Sequence, residues 1–160
     1  MAKDLAVDWT YFFDTPAGPA IQMSKQIDGT LPHSLIHLPD AITGEVDREE
    51  FHSLAARDLQ RGQMLDLPSG EEVARHMSVP VLSREQVGLK DWNGETPLWF
   101  YILREAKAFG GGDRLGPVGG RIVGEVLLGI IDCDPASYRS LNPAWSPPAG
   151  RRTVGELLAG

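Results

Sequence analysis

The sequence has little of what several classes of protein require. A single cysteine, Cys133, in 160 residues excludes an internal disulfide and a zinc site built from cysteines. Because Cys133 ends an apolar helical run, we expect its thiol to be buried and inert. The longest apolar runs, such as 97–103 and 126–131, are far too short to cross a bilayer. We therefore expect no membrane span.

Basic charge is also scarce. Fifteen Lys and Arg residues stand against 22 Asp and Glu residues, which gives a formal net charge of −7. Binding to the phosphates of nucleic acid requires a basic face, and no cluster of Lys and Arg would build one, so we expect no nucleic-acid partner. Residues 1–8 contain no apolar core of signal-peptide length, which favours a cytoplasmic location or leaves the location open.

Glycine and proline are abundant, with 18 and 12 residues, and they favour short helices joined by irregular connections. No segment has the pattern of a convincing strand. The sequence predicts a mainly α protein, an irregular helical domain with an extended N-terminal arm. We place the arm, rich in aromatic, Pro and Gly residues, at 1–45 and the helical domain at 46–160. The aromatic segment 8–13 has no partner face of its own, which implies that it docks against another surface.

Capping patterns predict where several helices begin. In a capping box, the N-cap side chain and the side chain three positions later each bond the other residue's backbone N–H. Such pairs predict the starts of three helices. Asp47 with Glu50 begins a helix that runs up to Gly62, and Ser69 with Glu72 begins a shorter helix through Met77. Thr153 with Glu156 begins a final helix that ends at Leu158. Thr96-Pro97 predicts an N-cap and first turn for a helix that runs through Ala108 and is buried, because its first two turns are apolar on nearly all sides.

A helix that begins near Pro117 has the strongest periodic signal. Apolar residues recur in it at four-residue steps: Val118, Ile122, Val126 and Ile130. Gly120 and Gly124 lie on one face of it, although glycine inside a helix costs about 1 kcal/mol relative to alanine. We expect this face to be approached closely by another backbone or by a flat, bulky group.

The four histidines are the natural candidates for metal binding or proton transfer. His33 and His37 have the spacing of a two-histidine site, but prolines bracket them and no glutamate completes a zincin motif, so we expect exposed loop residues. We expect His52 to be solvated or to cap a helix. His76 falls near a helix end, where a protonated imidazole favours the dipole. These residues indicate no metal site and no catalytic constellation.

Blocks of sequence along nearly the whole chain resemble bacterial members of the animal-type haem peroxidase family, within the peroxidase–cyclooxygenase superfamily. In that family an Asn-x-x-Arg-Gly helix leads into a Gly-Leu-Pro-Ser-Gly turn. The matching blocks here follow in order: 8–14, Asp58-Leu59-Gln60-Arg61-Gly62, Leu67-Pro68-Ser69-Gly70, 96–106, 114–123, 134–138 and 142–145.

The resemblance places the chain as the C-terminal part of such a peroxidase. In the family the distal His and Arg and the His that ligates iron all precede the segment matched here. The resemblance therefore implies a subunit or fragment of a peroxide-dependent oxidoreductase, with haem bound only in the complete assembly. The N-terminal peroxidase part would lie on a second polypeptide or on a missing segment, and this chain, with no catalytic residue of its own, is not expected to be active alone.

Two residues are implicated in cofactor binding by the same resemblance. The family Asn, which hydrogen-bonds the iron-ligating His, corresponds to Asp58, and the family Arg, which pairs with a haem propionate, corresponds to Arg61. Their spacing of three puts both on one helix face. The alternative for the pair is an ordinary ion pair on a helix surface, and the alternative for the chain is a non-catalytic helical interaction module derived from a haem peroxidase.

Overall fold

The computed structural model of the chain describes residues 7–16, 18–45, 47–149 and 151–159. It is 51% helical and has no strand in those residues, which confirms the predicted mainly α class. Residues 1–6 and 17 of the predicted arm, and residues 46, 150 and 160 of the predicted helical domain, lie outside the described part.

Nine α-helices occur in the described residues. Their bounds are α1 His33–Ile36, α2 Asp40–Thr43, α3 Leu54–Met64, α4 Gly70–His76, α5 Arg84–Val87, α6 Leu98–Gly110, α7 Pro117–Cys133, α8 Tyr138–Leu141 and α9 Val154–Ala159. Two 3-10 helices, Trp9–Tyr11 and Glu49–His52, also lie in the described part of the chain.

The chain divides into two compact units. The larger unit is Gln26–Leu127, and the smaller one combines Met1–Lys25 with Leu128–Gly160. In the smaller unit the aromatic 3-10 helix Trp9–Tyr11 contacts α9. The aromatic segment therefore has a docking surface within its own unit, although Trp9 remains 54% exposed.

The core of the larger unit forms where α4 and α5 pack on α6. Tyr101, on α6, is fully buried, and its hydroxyl oxygen accepts a hydrogen bond from the backbone N–H of Leu82 at 3.0 Å. Gly70 lies against the same ring, where a Cβ atom would overlap it. The remaining core residues are Ala74, Leu82, Val87 and Val118. Because the residues of the first two turns of α6 are all buried or half-buried, the predicted burial of this helix is confirmed.

The local capping predictions hold for two helices. At α4 the Ser69 hydroxyl accepts from the Glu72 N–H at 3.1 Å, and the Glu72 carboxylate accepts from the Ser69 N–H at 2.9 Å. At α9 the Thr153 hydroxyl accepts from the Glu156 N–H at 3.2 Å. Both boxes involve residues three positions apart, so the chain needs no distant partner to form them.

Two predicted helix starts are wrong. Asp47 does not open α3: a 3-10 turn intervenes, and Ser53 is the cap, accepting from the Ala56 N–H at 3.4 Å. Thr96 does not cap α6, whose N-cap is Pro97. The Thr96 hydroxyl instead donates to the Glu71 carboxylate at 2.6 Å. A hydrogen bond donated to a charged carboxylate is stronger than one accepted from a backbone N–H. This difference explains why the Thr96 hydroxyl bonds Glu71 and does not cap α6.

Helix α7 leaves the core after its first turns. Val118 is fully buried, but Val126 and Leu127 are 54% and 57% exposed. The prediction of a buried Cys133 is wrong, because its thiol lies on the exposed last turn. A Cβ atom at Gly124 would meet nothing within 4 Å, so the described residues supply no close approach to this glycine.

Candidate functional site

A cleft of about 870 Å³ opens beside α3 in the larger unit. Ligand pockets in proteins typically have volumes of about 300–1,000 Å³. The cleft is enclosed by α3, the turn that follows it, the segment 92–97 and the start of α6. Nine of the nineteen lining residues are apolar or aromatic: Phe51, Ala56, Leu59, Leu65, Leu67, Trp92, Pro97, Leu98 and Trp99. Five others are charged: Arg48, Glu50, Asp58, Arg61 and Glu95.

Asp58 and Arg61, the two residues singled out by the sequence, both line this cleft. Asp58 is half-buried and Arg61 is exposed. Within the described part of the chain neither side chain has a hydrogen bond or an ion pair, and the two do not pair with each other. The interpretation of Asp58 and Arg61 as a surface ion pair is therefore wrong for this structure.

The turn after α3 shapes one side of the cleft. Asp66 has a φ of +50°, a left-handed conformation that reverses the chain just after the helix. The Leu67 N–H then donates to the Gly62 carbonyl at 3.0 Å. This reversal keeps Leu65 and Leu67 beside α3, where both contribute apolar surface to the cleft.

The segment 92–97 forms another side and is fastened to α4. The Glu71 carboxylate accepts from the Thr96 N–H at 2.8 Å as well as from the Thr96 hydroxyl at 2.6 Å. In return, the Gly70 N–H donates to the Thr96 carbonyl at 2.9 Å. Because Thr96 is buried, its polar groups would lower the stability of the fold if they had no partner, and these bonds satisfy them. The same bonds fix the position of this side of the cleft.

Glu95 is held at the same place by two donors. Its carboxylate accepts hydrogen bonds from the Ser69 hydroxyl and the Arg75 guanidinium. The bond from Ser69, more than the attraction of Arg75, lowers the pKa of Glu95 below its ordinary value of 4.5. The carboxylate is thus charged throughout the neutral range, and it joins the segment 92–97 to α4.

None of the four histidines lines the cleft. His52 Nδ1 lies 3.0 Å from the Leu38 carbonyl oxygen, and the rings of His33 and His37 lie 4.3 Å apart. His76 ends α4, as predicted. Within the described residues no three metal-ligating side chains come together.

Two tryptophans of the cleft, Trp92 and Trp99, are not indicated as site residues by any sequence pattern. Trp99 stands in an apolar run that indicates only a buried helix. Trp92 stands alone among polar residues and next to a glycine-containing turn, which is an unusual place for so large an apolar side chain. That isolation is the sequence signal that could have drawn attention to Trp92 as a candidate cleft residue.

Comparison with known proteins finds no matching family, characterised protein or solved structure. The resemblance to haem peroxidases therefore rests on the sequence blocks alone.

Among the described helices, none is both long and apolar enough to cross a membrane.

The cleft offers surface for an apolar group and, at Arg61, a cation for an acid group. Its apolar and aromatic surfaces would bury a planar ring system, and the unpaired guanidinium of Arg61 would bind an acid group. The histidines lie elsewhere, so the cleft offers no imidazole for an iron ion. The lining would accommodate the edge of a haem group, whose iron would need a ligand from residues outside the cleft.

Proposed function

We propose that the chain is a subunit or fragment of an animal-type haem peroxidase and that its cleft forms one side of the haem site. One observation carries the proposal. Asp58 and Arg61, which the sequence resemblance implicates in haem binding, line the same cleft, and neither has a hydrogen-bond or ion-pair partner among the described residues. An unpaired charge beside an apolar surface is the arrangement by which proteins bind amphipathic ligands.

Each residue has a distinct role in this proposal. Arg61 binds a haem propionate through its guanidinium fork, a charge-assisted contact. Asp58 accepts the N–H of the imidazole that ligates iron, which a second chain supplies, and so orients that ring and raises its basicity. The haem group, when bound, supplies the redox chemistry with peroxide.

A second polypeptide is part of the proposal for two reasons. Cleavage of peroxide requires a base and a cation near the iron, and no histidine lies in the cleft. In addition, α7 exposes consecutive turns of apolar side chains, including Val123, Val126 and Leu127. A helix that is apolar on nearly all sides is normally buried, so this surface supports the presence of a partner.

The experiment is co-expression with a polypeptide that carries the N-terminal peroxidase part, ideally from the adjoining upstream gene. The complex should show Soret absorbance and peroxide-dependent oxidation. Arg61→Ala should weaken haem retention by about 1.5–3 kcal/mol, the range for hydrogen bonds to charged groups. Arg57→Ala is the matched control, because Arg57 lies on the same helix but outside the cleft lining and donates to the Phe51 carbonyl. A haem-free complex, or unchanged retention in Arg61→Ala, contradicts the proposal.

A non-catalytic helical interaction module is the second candidate. It is favoured by the position of all four histidines outside the cleft and by Asp58, which replaces the family Asn. The two candidates differ in behaviour. A chain that is stable, monomeric and haem-free, and that binds its partner without acquiring haem, is the module. An aggregation-prone chain rescued by a haem-carrying partner is the split enzyme.

A further inference from the structure

Trp92 is half exposed, at 50%, yet its polar groups are all engaged. The indole Nε1–H donates to the Glu95 carbonyl at 3.0 Å. The backbone carbonyl of Trp92 accepts from the Arg84 guanidinium at 3.0 Å, and its N–H donates to the Leu89 carbonyl at 3.2 Å. The two backbone bonds hold the main chain at Trp92, and the indole bond orients the ring.

Gly94 adds a steric restraint on the same ring. A Cβ atom at position 94 would lie 3.1 Å from Trp92 Nε1 and 3.5 Å from Cε2. A side chain at position 94 would require the indole or the loop to shift by a few tenths of an ångström. The nitrogen edge of the ring is therefore held against the loop, while half of the side chain stays accessible.

The restraint extends from Trp92 to α4 through Glu95. The carbonyl of Glu95 holds the indole, and its carboxylate is itself held by Ser69 and Arg75. Thr96, the next residue, is bonded to Glu71. The position of Trp92 is therefore set by the folded larger unit, and no ligand is needed to organise it.

We propose that Trp92 is a preorganised stacking surface of the cleft, selective for a planar aromatic ligand that carries an acid group. Immobilising an aromatic side chain on binding costs conformational entropy, and a ring that is already fixed avoids this cost. Stacking on tryptophan selects for planar π systems. Arg61, which lines the same cleft and has no partner among the described residues, selects for an acid group. The inference rests on the proposed function only in naming haem as the natural ligand.

Metal-free protoporphyrin IX tests the inference, because it is a planar aromatic diacid that needs no iron ligand. It is titrated into the full chain, without partner, and followed by its fluorescence. Trp92→Ala should weaken its binding about tenfold, and Trp92→Phe, which keeps a ring, should restore most of the affinity. Trp145→Ala is the matched control: Trp145 is 51% exposed but does not line the cleft, and its loss should change nothing.

Gly94→Ala provides a second test that removes no aromatic group. Its Cβ atom should push the indole from its position and weaken porphyrin binding, with Trp92 still present. Urea unfolding of each variant identifies any loss of folding. Failure of the parent chain to bind the porphyrin, or equal affinity in the parent and Trp92→Ala, overturns the inference.

The outcomes also separate this inference from the proposed function. Porphyrin binding that depends on Trp92, together with a haem-free complex, supports the stacking surface and overturns the peroxidase proposal. A complex that retains haem equally well with Trp92→Ala supports the peroxidase proposal and overturns the stacking surface.

Discussion

The carboxylate of Glu105 accepts two hydrogen bonds from the backbone N–H of Val118, at 2.9 and 3.0 Å, and one from Gly119 at 3.1 Å. Glu105 lies on α6 and is fully buried. The first N–H groups of a helix have no partner within the helix, and the helix dipole favours an anion beside them. Glu105 therefore caps α7 from a neighbouring helix and joins the two.

The first prediction concerns this cap. Glu105→Ala should destabilise the larger unit by about 1–3 kcal/mol, the cost of leaving buried N–H groups without acceptors. Glu105→Gln should cost less, because the amide oxygen still accepts. The control is Glu125→Ala, which removes only an exposed ion pair with Arg121 and should cost about 0.5 kcal/mol or less. Urea unfolding measures all three, and equal midpoints for Glu105→Ala and Glu125→Ala would show that the cap is unimportant.

The second prediction compares two glycines in helices. Gly70→Ala should destabilise the chain by at least about 1–3 kcal/mol, since its Cβ atom would overlap the buried Tyr101 ring. Gly124→Ala has open space around it and should stabilise the isolated chain by about 0.5–1 kcal/mol. Thermal unfolding of the chain alone checks both signs. A destabilising Gly124→Ala would indicate a contact that the structure does not contain.

These contacts show which parts of the structure the sequence could predict. The Ser69–Glu72 box was predictable because both partners lie in one helical turn. The bonds of Thr96 to Glu71 and of Val118 to Glu105 span 25 and 13 residues, and no local pattern indicates them.

The candidate site was predictable to a similar extent. The spacing of Asp58 and Arg61 correctly implied one helix face, and the cleft beside that face comes from the tertiary fold. Trp92 escaped notice because its restraints come from Arg84, Glu95 and the turn at Gly94 together. For Cys133 the sequence pattern predicted burial that does not occur. The apolar periodicity continues to the end of α7, but the core of the larger unit contacts only the first turns of that helix.

The third prediction concerns alkaline pH. Burial raises the pKa of Tyr101 above its ordinary value of 10.0. Above pH 10 the phenol therefore ionises in the unfolded chain while it remains protonated in the folded one, and stability falls as pH rises. Tyr101→Phe should remove this part of the decline. It should also cost about 1–3 kcal/mol at neutral pH, because the buried Leu82 N–H loses its acceptor.

Chemical unfolding at several pH values between about 8 and 11 tests the third prediction, because this interval brackets the ordinary pKa of tyrosine. Tyr138→Phe is the control, since Tyr138 is 54% exposed and its loss should leave the alkaline decline intact. The same alkaline slope in Tyr101→Phe and the parent would contradict the assignment.

The fourth prediction concerns acid. The lowered pKa of Glu95 means that its interactions are complete above its ordinary value of 4.5 and are lost as pH falls through the lower, folded value. Porphyrin affinity should therefore decrease in this acid range, as the bonds from Ser69 and Arg75 weaken and Trp92 is released. Glu95→Gln should bind porphyrin more weakly at neutral pH and lose the part of this dependence that comes from Glu95, while the part that comes from protonation of the porphyrin carboxylates should remain. An unchanged acid profile in Glu95→Gln would show that another carboxyl group is responsible.

The fifth prediction concerns Asp58 in the assembled complex and rests on the proposed function. A carboxylate that accepts the imidazole N–H gives the ring anionic character and favours ferric iron, whereas an amide does so less. Asp58→Asn should therefore retain haem and raise the midpoint potential, on the order of tens of millivolts. Asp66→Asn is the control, because Asp66 lies outside the cleft lining and asparagine tolerates its φ of +50°. Spectroelectrochemical titration of the parent and both variants gives the answer. An unchanged midpoint potential in Asp58→Asn, or an equal shift in Asp66→Asn, would show that Asp58 does not accept a hydrogen bond from the imidazole that ligates iron.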